Sequence, residues 1–358
     1  MNLNILGPWN SLGYGQVVKH IIKSSLNMGH EVSYFPIGQL DIEQESEIPI
    51  IQQVINNQSN YDSRAPSIRI FHQFDLAQHI GKGPHIGFPI FELNLFTERE
   101  KHHLKSQDML FVCSDWAKGI IQSNQIDTPT FVVPLGVNSD IFHPIEPTPY
   151  VRPYSFITIG KFSMNKGHDF LIDAFGAAFS EKDDVELRLM TFNPFLEQPQ
   201  LQDKKQFWIN KVQNSPLASK IKLVNRVQTQ AEVAQIINQS DCGVFVSRGE
   251  GWDLELLECM ACNKPVIATN YSGHTQFANE YNCSLIEIDE LEDAIDNIWF
   301  HGEGQWASLD QPQFDALVEY MRSMYKNFVT NNQEGIKTAQ QFSWENSVKK
   351  ITDLVSEL

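Results

Sequence analysis

The sequence predicts an α/β protein made of two doubly wound, Rossmann-like domains. Short apolar runs alternate with amphipathic stretches along the 358 residues, a proline-rich segment interrupts this alternation near the middle, and the alternation then restarts. Strands that alternate with helices are typical of parallel sheets with helices on both faces. A chain of this length also has enough residues for two separate hydrophobic cores.

The first half begins with a strand–helix–strand unit. We expect strands at residues 3–6 and 31–35 and a helix at 16–28, where apolar side chains recur at helical spacing. Residues 38–66 are polar and lack a clear period, which favours a loop or irregular structure. Later apolar runs predict four more strands, and Ser114 is the expected N-cap of a helix; these elements are 68–74, 85–91, 109–114, 130–135 and the helix 115–123.

The segment 143–153 contains four prolines. This density excludes a helix or a central strand, because proline lacks an N–H and fixes φ. We therefore predict an N-terminal domain of residues 1–146 and a C-terminal domain of residues 147–341. The last helix, at about residues 342–358, is expected to pack back on the N-terminal domain.

The second half repeats the alternation of strands and helices. Its predicted elements are strands at 155–160, 185–192, 221–224, 242–247 and 265–269, with helices at 166–179, at 231–238 and after Asp253. Two such halves joined by a proline-rich segment imply two doubly wound domains.

The overall charge restricts the possible partners. The formal net charge is −17 at pH 7, and affinity for duplex nucleic acid comes mainly from Lys and Arg, so nucleic acid is disfavoured.

No apolar run approaches the ~20 residues of a membrane-spanning helix, and the N-terminus lacks the features of a signal peptide. We expect a cytoplasmic protein, with peripheral membrane association and the oligomeric state left open.

The cysteines do not indicate a metal site. Cys259 and Cys262 form a single C-x-x-C without a second pair and without His at zinc spacing. This pattern favours small residues on a helix. Scattered cysteines also fit a reducing compartment.

The segment 245–273 combines a strand, a glycine-containing turn, a helix and a second strand. A helix that begins after a strand presents free N–H groups, which suit a phosphate. Glu250 lies in the turn and Glu258 within the helix, so the two carboxylates can bind hydroxyls at two ends of one ligand. The alternative is a solvated acidic surface, but Gly249 and Trp252 are unusual at a plain exposed helix start.

Two further loops follow strands at the edge of a sheet where ligands bind. Lys161 and Lys166 flank the loop after the strand 155–160, and two ammonium groups suit a diphosphate; the alternative is a pair of exposed lysines. Gly13 and Gly15 lie between the first strand and the first helix and would let a ligand approach the backbone. This loop does not match G-x-G-x-x-G.

Six segments in the correct order resemble one family, the retaining glycosyltransferases of GT-B fold known as glycosyl transferases group 1, or family 4. The family motif is E-x7-E, and Glu250 and Glu258 have that spacing. The six segments cover nearly the whole chain: the loop 7–16, then 111–120, 132–144, 159–175, 245–273 and FSWE at 342–345. The resemblance implies the GT-B fold, in which two Rossmann-like domains face a central cleft.

The resemblance also implies roles in binding a nucleoside diphosphate sugar, the donor. Lys166, and Lys161 where the family often has Arg, would neutralise the diphosphate. Glu250 would bind the sugar hydroxyls near the reacting carbon, and Glu258 would bind the ribose hydroxyls. Gly13 and Gly15 would lie over the phosphate from the other domain.

Other matching positions carry less specific roles. The backbone around Asp253, Leu254 and Glu255 would meet the sugar or the phosphate. His72 resembles the family's active-site His, which contacts the donor sugar, although a lone His at a strand end is more often structural. Arg226 lies where the family places backbone contacts to the base, and its side-chain role stays open. Glu250, His72 and Lys166 are thus the candidate catalytic residues.

The chain departs from the family pattern at four positions. Asp253 stands where Gly or Asn is common, and Glu255 stands where Pro is common. Asn263 replaces a usual Gly, and Cys259 a usual Ala. Extra negative charge beside a diphosphate is unfavourable, so these changes put the identity of the donor sugar in question.

The implied activity is that of a hexosyltransferase-type enzyme that moves a sugar to an acceptor hydroxyl with retention, in glycan or glycoconjugate synthesis. No cofactor and no metal are expected, since the proposed site has no D-x-D pair. The acceptor would be a glycan, a lipid-linked molecule or a small molecule. Three alternatives stay open: a sugar-nucleotide epimerase of similar fold, a non-catalytic sugar-nucleotide-binding protein, and a glycosyltransferase acting on modified DNA.

Overall fold

The structure, a computed structural model, describes residues 1–145 and 153–357. Residues 146–152 of the predicted proline-rich boundary lie outside the described residues. The chain divides into two compact units. The first unit comprises Met1–Asn138, Ser272–Gln276 and Gln341–Leu358, and the second comprises Ser139–Tyr271 and Phe277–Gln340.

The first unit contains a six-stranded parallel sheet in the order β2-β1-β3-β4-β5-β6. Its strands are Asn2–Gly7 (β1), Glu31–Pro36 (β2), Ser67–Arg69 (β3), His85–Gly87 (β4), Met109–Val112 (β5) and Thr130–Val132 (β6). Its helices include Gly13–Asn27 (α1), Ile48–Asn56 (α2), Glu98–Lys105 (α3) and Asp115–Ser123 (α4). The predicted N-cap of α4 is confirmed, because the Ser114 hydroxyl accepts a hydrogen bond from the Ala117 amide at 3.1 Å.

The prediction of a loop over 38–66 is wrong in part, because this stretch contains α2 and two 3₁₀ turns. The stretch is held by residues of other elements. The Trp9 indole donates to Glu47 at 3.1 Å, and the buried Lys19 ammonium lies 3.2 Å from the same carboxylate. These contacts hold the 3₁₀ turn that precedes α2, whereas α2 itself has buried Ile51 and Val54 at helical spacing.

Helix α3 was also not predicted. Among its residues only Leu104 is buried, so it lacks an apolar stripe. Its start is nevertheless encoded locally: the Thr97 side chain accepts from the Glu100 amide, and the Glu100 carboxylate accepts from the Thr97 amide at 2.7 Å. This capping box is a readable helix-start signal.

The second unit contains a second six-stranded parallel sheet, in the order β12-β11-β10-β7-β8-β9. Its strands are Tyr154–Ile159 (β7), Val185–Met190 (β8), Ile221–Leu223 (β9), Cys242–Phe245 (β10), Val266–Thr269 (β11) and Ser284–Ile286 (β12). Its helices are His168–Ala178 (α5), Gln202–Gln213 (α6), Gln230–Asn238 (α7), Leu254–Ala261 (α8) and Gln311–Lys326 (α9), and Gln333–Gln341 (α10) follows. Strands β7 and β10 are buried along their whole length, as expected for central parallel strands.

An antiparallel hairpin follows β12 and lies outside the six-stranded sheet. Its strands are Leu291–Ile295 (β13) and His301–Ala307 (β14). The Ala307 amide donates to the Arg248 carbonyl at 2.8 Å, which joins the hairpin to the chain just after β10. This hairpin is absent from the elements that the sequence predicts.

The C-terminal helix, Trp344–Ser356 (α11), packs on α1 of the first unit. The Trp344 ring stacks on His20 with centroids 4.8 Å apart, and the Ser347 hydroxyl donates to the Pro134 carbonyl at 2.6 Å. Two boundaries differ from the predicted domains: the units divide a few residues before 146, and the segment Ser272–Gln276 groups with the first unit.

Each unit has its own hydrophobic core. In the second unit the core includes Phe156, Phe175 and Leu187, all fully buried. In the first unit a cluster includes Leu104 and Leu110. Within 1–145 and 153–357, no helix is both long enough and apolar enough to cross a membrane.

We predict that Gly136→Ala destabilises the first unit. An added Cβ would lie 2.2 Å from the Trp344 backbone nitrogen, which cannot move without displacing α11. Overpacking typically costs about 1–3 kcal/mol, and the midpoint of thermal unfolding should fall by several degrees. The control is Gly119→Ala on α4, whose Cβ would meet nothing within 4 Å. Helix propensity should leave that variant as stable as the parent or more stable, so equal midpoints for the two variants would contradict the packing argument.

Candidate functional site

The loops after β7 and β10 bring a lysine and a glutamate together in the second unit. The Lys166 ammonium lies 2.8 Å from the Glu250 carboxylate and 3.9 Å from that of Glu255. The Ser247 hydroxyl donates to the same Glu250 oxygen at 2.8 Å. The side chains of Lys166 and Glu250 are 15% and 6% exposed, so the pair is largely removed from solvent.

Gly167 explains why these two loops can meet. It follows the 3₁₀ turn Met164–Lys166 and has φ +67, in the left-handed region that favours glycine. An added Cβ would lie 1.9 Å from the Val246 carbonyl oxygen. Any larger residue would therefore push the Lys166 loop away from the end of β10.

The acidic neighbours keep Lys166 charged. Burial alone would lower the pKa of this ammonium, but the charges of Glu250, Glu255 and Asp253 outweigh it and raise the pKa well above its usual value. Its neighbour His168, the first residue of α5, is buried, and burial followed by the charge of Lys166 lowers the pKa of the imidazole to about 3. The local positive charge thus belongs to Lys166 and not to His168.

Glu258 lies in α8 and differs from Glu250 in its surroundings. Its carboxylate makes no hydrogen bond or ion pair with any residue that the structure describes. Burial, then the charges of Glu255 and Asp253, raise the pKa of this carboxyl group well above its usual value. Such a group is available to hydrogen-bond a polar ligand.

Asp253 is the N-cap of α8. This role explains why Asp can replace the Gly or Asn that is common at this position in the family that the sequence resembles. Its backbone is left-handed, with φ 73 and ψ 74, and its Oδ1 accepts from the Leu256 amide at 3.2 Å. Gly and Asn, common at this position in the family, also adopt this conformation readily. Leu254 and Glu255 form the first turn that Asp253 caps, so the turn retains its shape with Asp in this position.

The surroundings of Asp253 also shift the pKa of its carboxyl group. Burial and the charge of Glu250 raise the pKa of its carboxyl group well above the usual value, although Lys166 acts in the opposite direction. Folding therefore shifts this carboxyl group towards its protonated form. This reduces the repulsion expected between Asp253 and a bound anion.

Lys161 and Arg226 lie in different surroundings from Lys166. The Lys161 ammonium lies over the Phe195 ring, 5.2 Å from its centroid, and the Arg226 guanidinium lies over Phe192 at 5.9 Å. In both arrangements a cation contacts an aromatic face. The two predicted diphosphate lysines thus differ: Lys166 contacts the acidic residues and Lys161 contacts an aromatic ring.

A cavity of about 310 Å³ lies next to Arg226. It is lined by the carboxyl ends of β8 and β9 and by α6. Phe162 and Trp208 stack in its wall at 4.8 Å, Phe192 is partly exposed, and Arg226 also lines it. A mainly apolar cavity with a few polar groups is typical of sites for small molecules.

The first unit contains the remaining predicted residues, Gly13, Gly15 and His72. An added Cβ at Gly13 would meet nothing within 4 Å, whereas one at Gly15 would lie 2.3 Å from the Asn10 carbonyl oxygen. Gly15 is therefore required by the packing of its own loop. Of these two glycines, only Gly13 has open space beside it that a ligand could occupy.

Tyr14, in the first turn of α1, is absent from the predicted site residues; it binds the loop after β4 and contacts His72. Its hydroxyl donates to the Ile90 carbonyl at 2.7 Å and accepts from the Ile90 amide at 2.8 Å. Its ring lies 4.6 Å from the His72 ring, and Phe74 stacks nearly parallel to His72 at 5.0 Å. His72 thus contacts aromatic rings from α1 and from its own loop.

Arg248 was also missed. It is buried, and its guanidinium binds Asp169 and the Met164 carbonyl next to Lys166. The only feature of the sequence that points to Arg248 is its position two residues before Glu250. Its partners are about 80 residues away in sequence.

No group of three or more His, Cys, Asp or Glu that could hold a metal occurs in the part of the chain that the structure describes. The five cysteines are buried and free of disulfides. Cys259 lies on α8, and Cys262 immediately follows the helix.

Comparison with known proteins gives two kinds of match in sequence. Residues 153–299 match the model of the family described as Glycosyl transferases group 1. An uncharacterized glycosyltransferase of Methanocaldococcus jannaschii is 26% identical over 263 residues, which cover 72% of this chain. The matched region spans only 62% of that relative's length.

Solved structures match over the full length of the chain. Sucrose-phosphate synthase from Thermosynechococcus elongatus has a TM-score of 0.73 at 15% identity and covers 100% of this chain and 98% of its own. Anabaena HepE in complex with UDP and glucose has a TM-score of 0.71 at 15% identity, with 100% of both chains covered. The chain has the GT-B fold. Trehalose-6-phosphate synthase OtsA, with a TM-score of 0.73 at 9% identity, covers 99% of its own chain and agrees with this assignment.

We predict that Asp253→Asn changes how stability depends on pH. A carboxyl group whose pKa is raised by folding contributes its full stability only below the pKa of the unfolded chain, about 3.9, and loses it as pH rises towards the folded value. Asn keeps the Oδ1 acceptor and tolerates the left-handed backbone but does not titrate. The unfolding midpoint of the variant, relative to the parent, should therefore rise between about pH 4.5 and pH 8.

The control for this measurement is Asp183→Asn. Hydrogen bonds from Ser180 lower the pKa of Asp183, so its charged form is stabilised above the pKa of the unfolded chain. That variant should lie below the parent at neutral pH. A parallel response of the two variants would show that folding does not raise the pKa of Asp253.

Proposed function

We propose that the chain is a retaining glycosyltransferase that moves a sugar from a nucleoside diphosphate sugar to an acceptor hydroxyl, without a cofactor or metal. The observation that supports this most directly is the Lys166–Glu250 pair with Glu258 nearby in sequence on α8. All three residues lie within the region that matches the group 1 model. The fold and the chemistry of these side chains agree with that class of reaction.

Lys166 is the cation that we assign to the donor diphosphate. Its ammonium stays protonated because of its acidic neighbours, and it is held in a largely buried position where a charge interaction is screened little by water. A diphosphate that leaves with two negative charges needs such stabilisation in the transition state. Lys161, in the same loop, is the second cation in this proposal.

Glu250 and Glu258 have different proposed partners on the donor. Glu250 shares its oxygen with Lys166 and Ser247, so it lies beside the proposed diphosphate position and suits the sugar hydroxyls. Glu258 makes no hydrogen bond with the described residues and suits the ribose diol. First-turn residues Asp253, Leu254 and Glu255 would border the sugar or phosphate.

The nucleotide base would extend towards the cavity beside Arg226. Phe162, which lines that cavity, directly follows Lys161 in sequence. The apolar wall, with Phe192 and Trp208, is compatible with a flat heteroaromatic ring. From the first unit, we retain for Gly13 and His72 the donor contacts that the family resemblance implies.

The proposed catalysis depends on electrostatics and positioning. The bond from the anomeric carbon to the diphosphate oxygen breaks while the acceptor oxygen forms a bond on the same face of the sugar, and the acceptor proton moves to the leaving phosphate. Lys166 and Lys161 stabilise the charge that develops there. Holding donor and acceptor together supplies a further part of the rate enhancement.

A panel of nucleotides tests the donor class. Anabaena HepE is described in complex with UDP-glucose, so UDP and UDP-glucose come first, followed by ADP-, GDP- and other sugar nucleotides. A true ligand raises the thermal midpoint by binding the native state alone. Interconversion of two sugar nucleotides would indicate an epimerase, and tight binding without turnover a sensor.

We predict that Glu258→Gln and Glu250→Gln affect different ligands. Glu258→Gln should weaken both free UDP and the intact donor, since both contain the ribose, by about 1.5–3 kcal/mol for one charged hydrogen bond. Glu250→Gln should leave UDP affinity unchanged or higher, because Lys166 loses a competing carboxylate, while turnover falls. Calorimetry with UDP, together with initial rates, measures both effects. Equal losses of UDP affinity in the two variants would refute the division of roles.

Retention and metal independence form a separate prediction. In excess chelator the initial rate should remain unchanged, because the proposed stabilisation of the diphosphate comes from lysines. NMR of the first product formed should show the anomeric configuration of the donor. Activity that returns only with Mg²⁺ or Mn²⁺, or an inverted anomeric signal, would overturn the proposed mechanism.

A further inference from the structure

Arg248 lies in the loop after β10 and contacts the loop after β7. These two loops form the Lys166–Glu250 pair. It is 8% exposed and precedes Glu250 by two residues. Its guanidinium donates two hydrogen bonds to Asp169, at 2.9 and 3.0 Å, and one to the Met164 carbonyl at 2.7 Å. Its backbone amide donates to the Asn165 carbonyl at 2.6 Å.

These contacts enclose the lysine on both sides. Met164 and Asn165 immediately precede Lys166, and Asp169 follows it by three residues in the first turn of α5. Arg248 therefore binds the backbone carbonyls of the two residues before Lys166. It also binds the side chain of Asp169, which follows Lys166. Together with the direct Lys166–Glu250 contact, this produces a closed ring of polar interactions.

The hairpin β13–β14 is attached to the same residue. The Glu292 carboxylate lies 3.3 Å from the Arg248 guanidinium and accepts from the Trp306 indole at 3.0 Å. The Ala307 amide donates to the Arg248 carbonyl. Arg248 thus has contacts with the β7–α5 loop, with α5 and with the hairpin.

We propose that Arg248 is a positioning residue that fixes the distance between Lys166 and Glu250 and so keeps the lysine oriented for a nucleoside diphosphate. This inference rests on the proposed function. Arg248 acts through Lys166: its own donors already bind Asp169, Met164 and Glu292, so it is not assigned a contact with the ligand. The planar guanidinium is what permits these simultaneous contacts, since it presents five N–H donors in a fixed fork.

Lysine is the informative replacement at this position. It preserves the positive charge beside Asp169, so the buried carboxylate retains a cationic partner. A single ammonium on a flexible chain does not reproduce the bidentate contact with Asp169 together with the bond to Met164. Arg248→Lys should therefore preserve the fold and loosen the loop that contains Lys166.

Arg188→Lys is the matched control. Arg188 is also an ion-paired arginine of the second unit, bound to Glu186 at 2.6 Å and to the Gln239 carbonyl at 2.8 Å. None of these partners belongs to the loop 160–167 or the turn 247–253. Any general cost of replacing a paired arginine by lysine will be present in both variants.

The first experiment is a double-mutant cycle with UDP as the probe, measured by calorimetry on the full chain. Arg248→Lys should weaken UDP about tenfold, and Arg188→Lys less than twofold. In a Lys166→Ala background the effect of Arg248→Lys should disappear, because the group that it positions is absent. An undiminished tenfold loss in that background would refute the proposal.

The second experiment needs no ligand. Hydrogen–deuterium exchange is measured on peptides that cover 160–167 and 247–253 in the parent and in both lysine variants. Arg248→Lys should accelerate exchange in these two segments and Arg188→Lys should not. Unchanged exchange in Arg248→Lys would overturn the positioning role.

The two experiments separate this proposal from the proposed function. If the parent binds neither UDP nor any other nucleoside diphosphate, the donor assignment fails, while exchange still decides whether Arg248 holds the two loops. If UDP binds and Arg248→Lys changes neither affinity nor exchange, the donor assignment survives and the positioning role fails.

Discussion

The ion pair between Lys166 and Glu250 is the interaction on which the architecture of the candidate site depends. Its two residues come from loops after β7 and β10, strands that are neighbours in the sheet although more than 80 residues separate the loops in sequence. The parallel arrangement places both carboxyl ends at one edge, where ligands bind in sheets of this type. Removing one partner of a buried pair is costly, about 3–5 kcal/mol, because a charge remains without compensation. The pair therefore links the stability of this edge to the chemistry that it can perform.

Backbone constraints allow the pair to form. Gly167 permits the β7–α5 loop to approach the Val246 carbonyl, and Asp253 adopts a left-handed conformation that starts α8 directly after the turn of Glu250. Arg248 then connects the two loops with hydrogen bonds. Gly167, Asp253 and Arg248 thus each contribute a separate part of the geometry that brings Lys166 and Glu250 together. This explains why the segment 245–253 has an unusual composition for the start of a helix.

Much of the fold follows from local sequence, and part of the site does not. Most strands and α1, α4 and α5 were predicted because their buried side chains recur at a regular spacing, and the spacing of Glu250 and Glu258 together with Lys166 indicated the acidic helix and its lysine loop. Helix α2 was missed although its buried Ile51 and Val54 recur at helical spacing within an otherwise polar stretch; Trp9 and Lys19 hold the turn that precedes it. Arg248 and Tyr14 were missed because their hydrogen-bond partners are distant in sequence and no local pattern reveals them. The assignment of Gly15 to the donor stays a prediction, and the contact with Asn10 separately requires a glycine there.

The charge balance of the site explains how an acidic protein can accept an anionic ligand. Three other acidic residues, Asp253, Glu255 and Glu258, lie on or cap the helix that follows Glu250, and Lys166 is the cation in direct contact with this group. Burial raises the pKa of Asp253 and Glu258, which shifts both groups towards their protonated forms when the site is empty. A neutral carboxyl group can donate a hydrogen bond as well as accept one, which suits contact with phosphate oxygens or sugar hydroxyls. The same burial strengthens the interaction of Lys166 with any anion that replaces Glu250 as its partner. Burial therefore weakens the repulsion from these acids, while the charge of Glu250 offsets the effect of the same burial on Lys166.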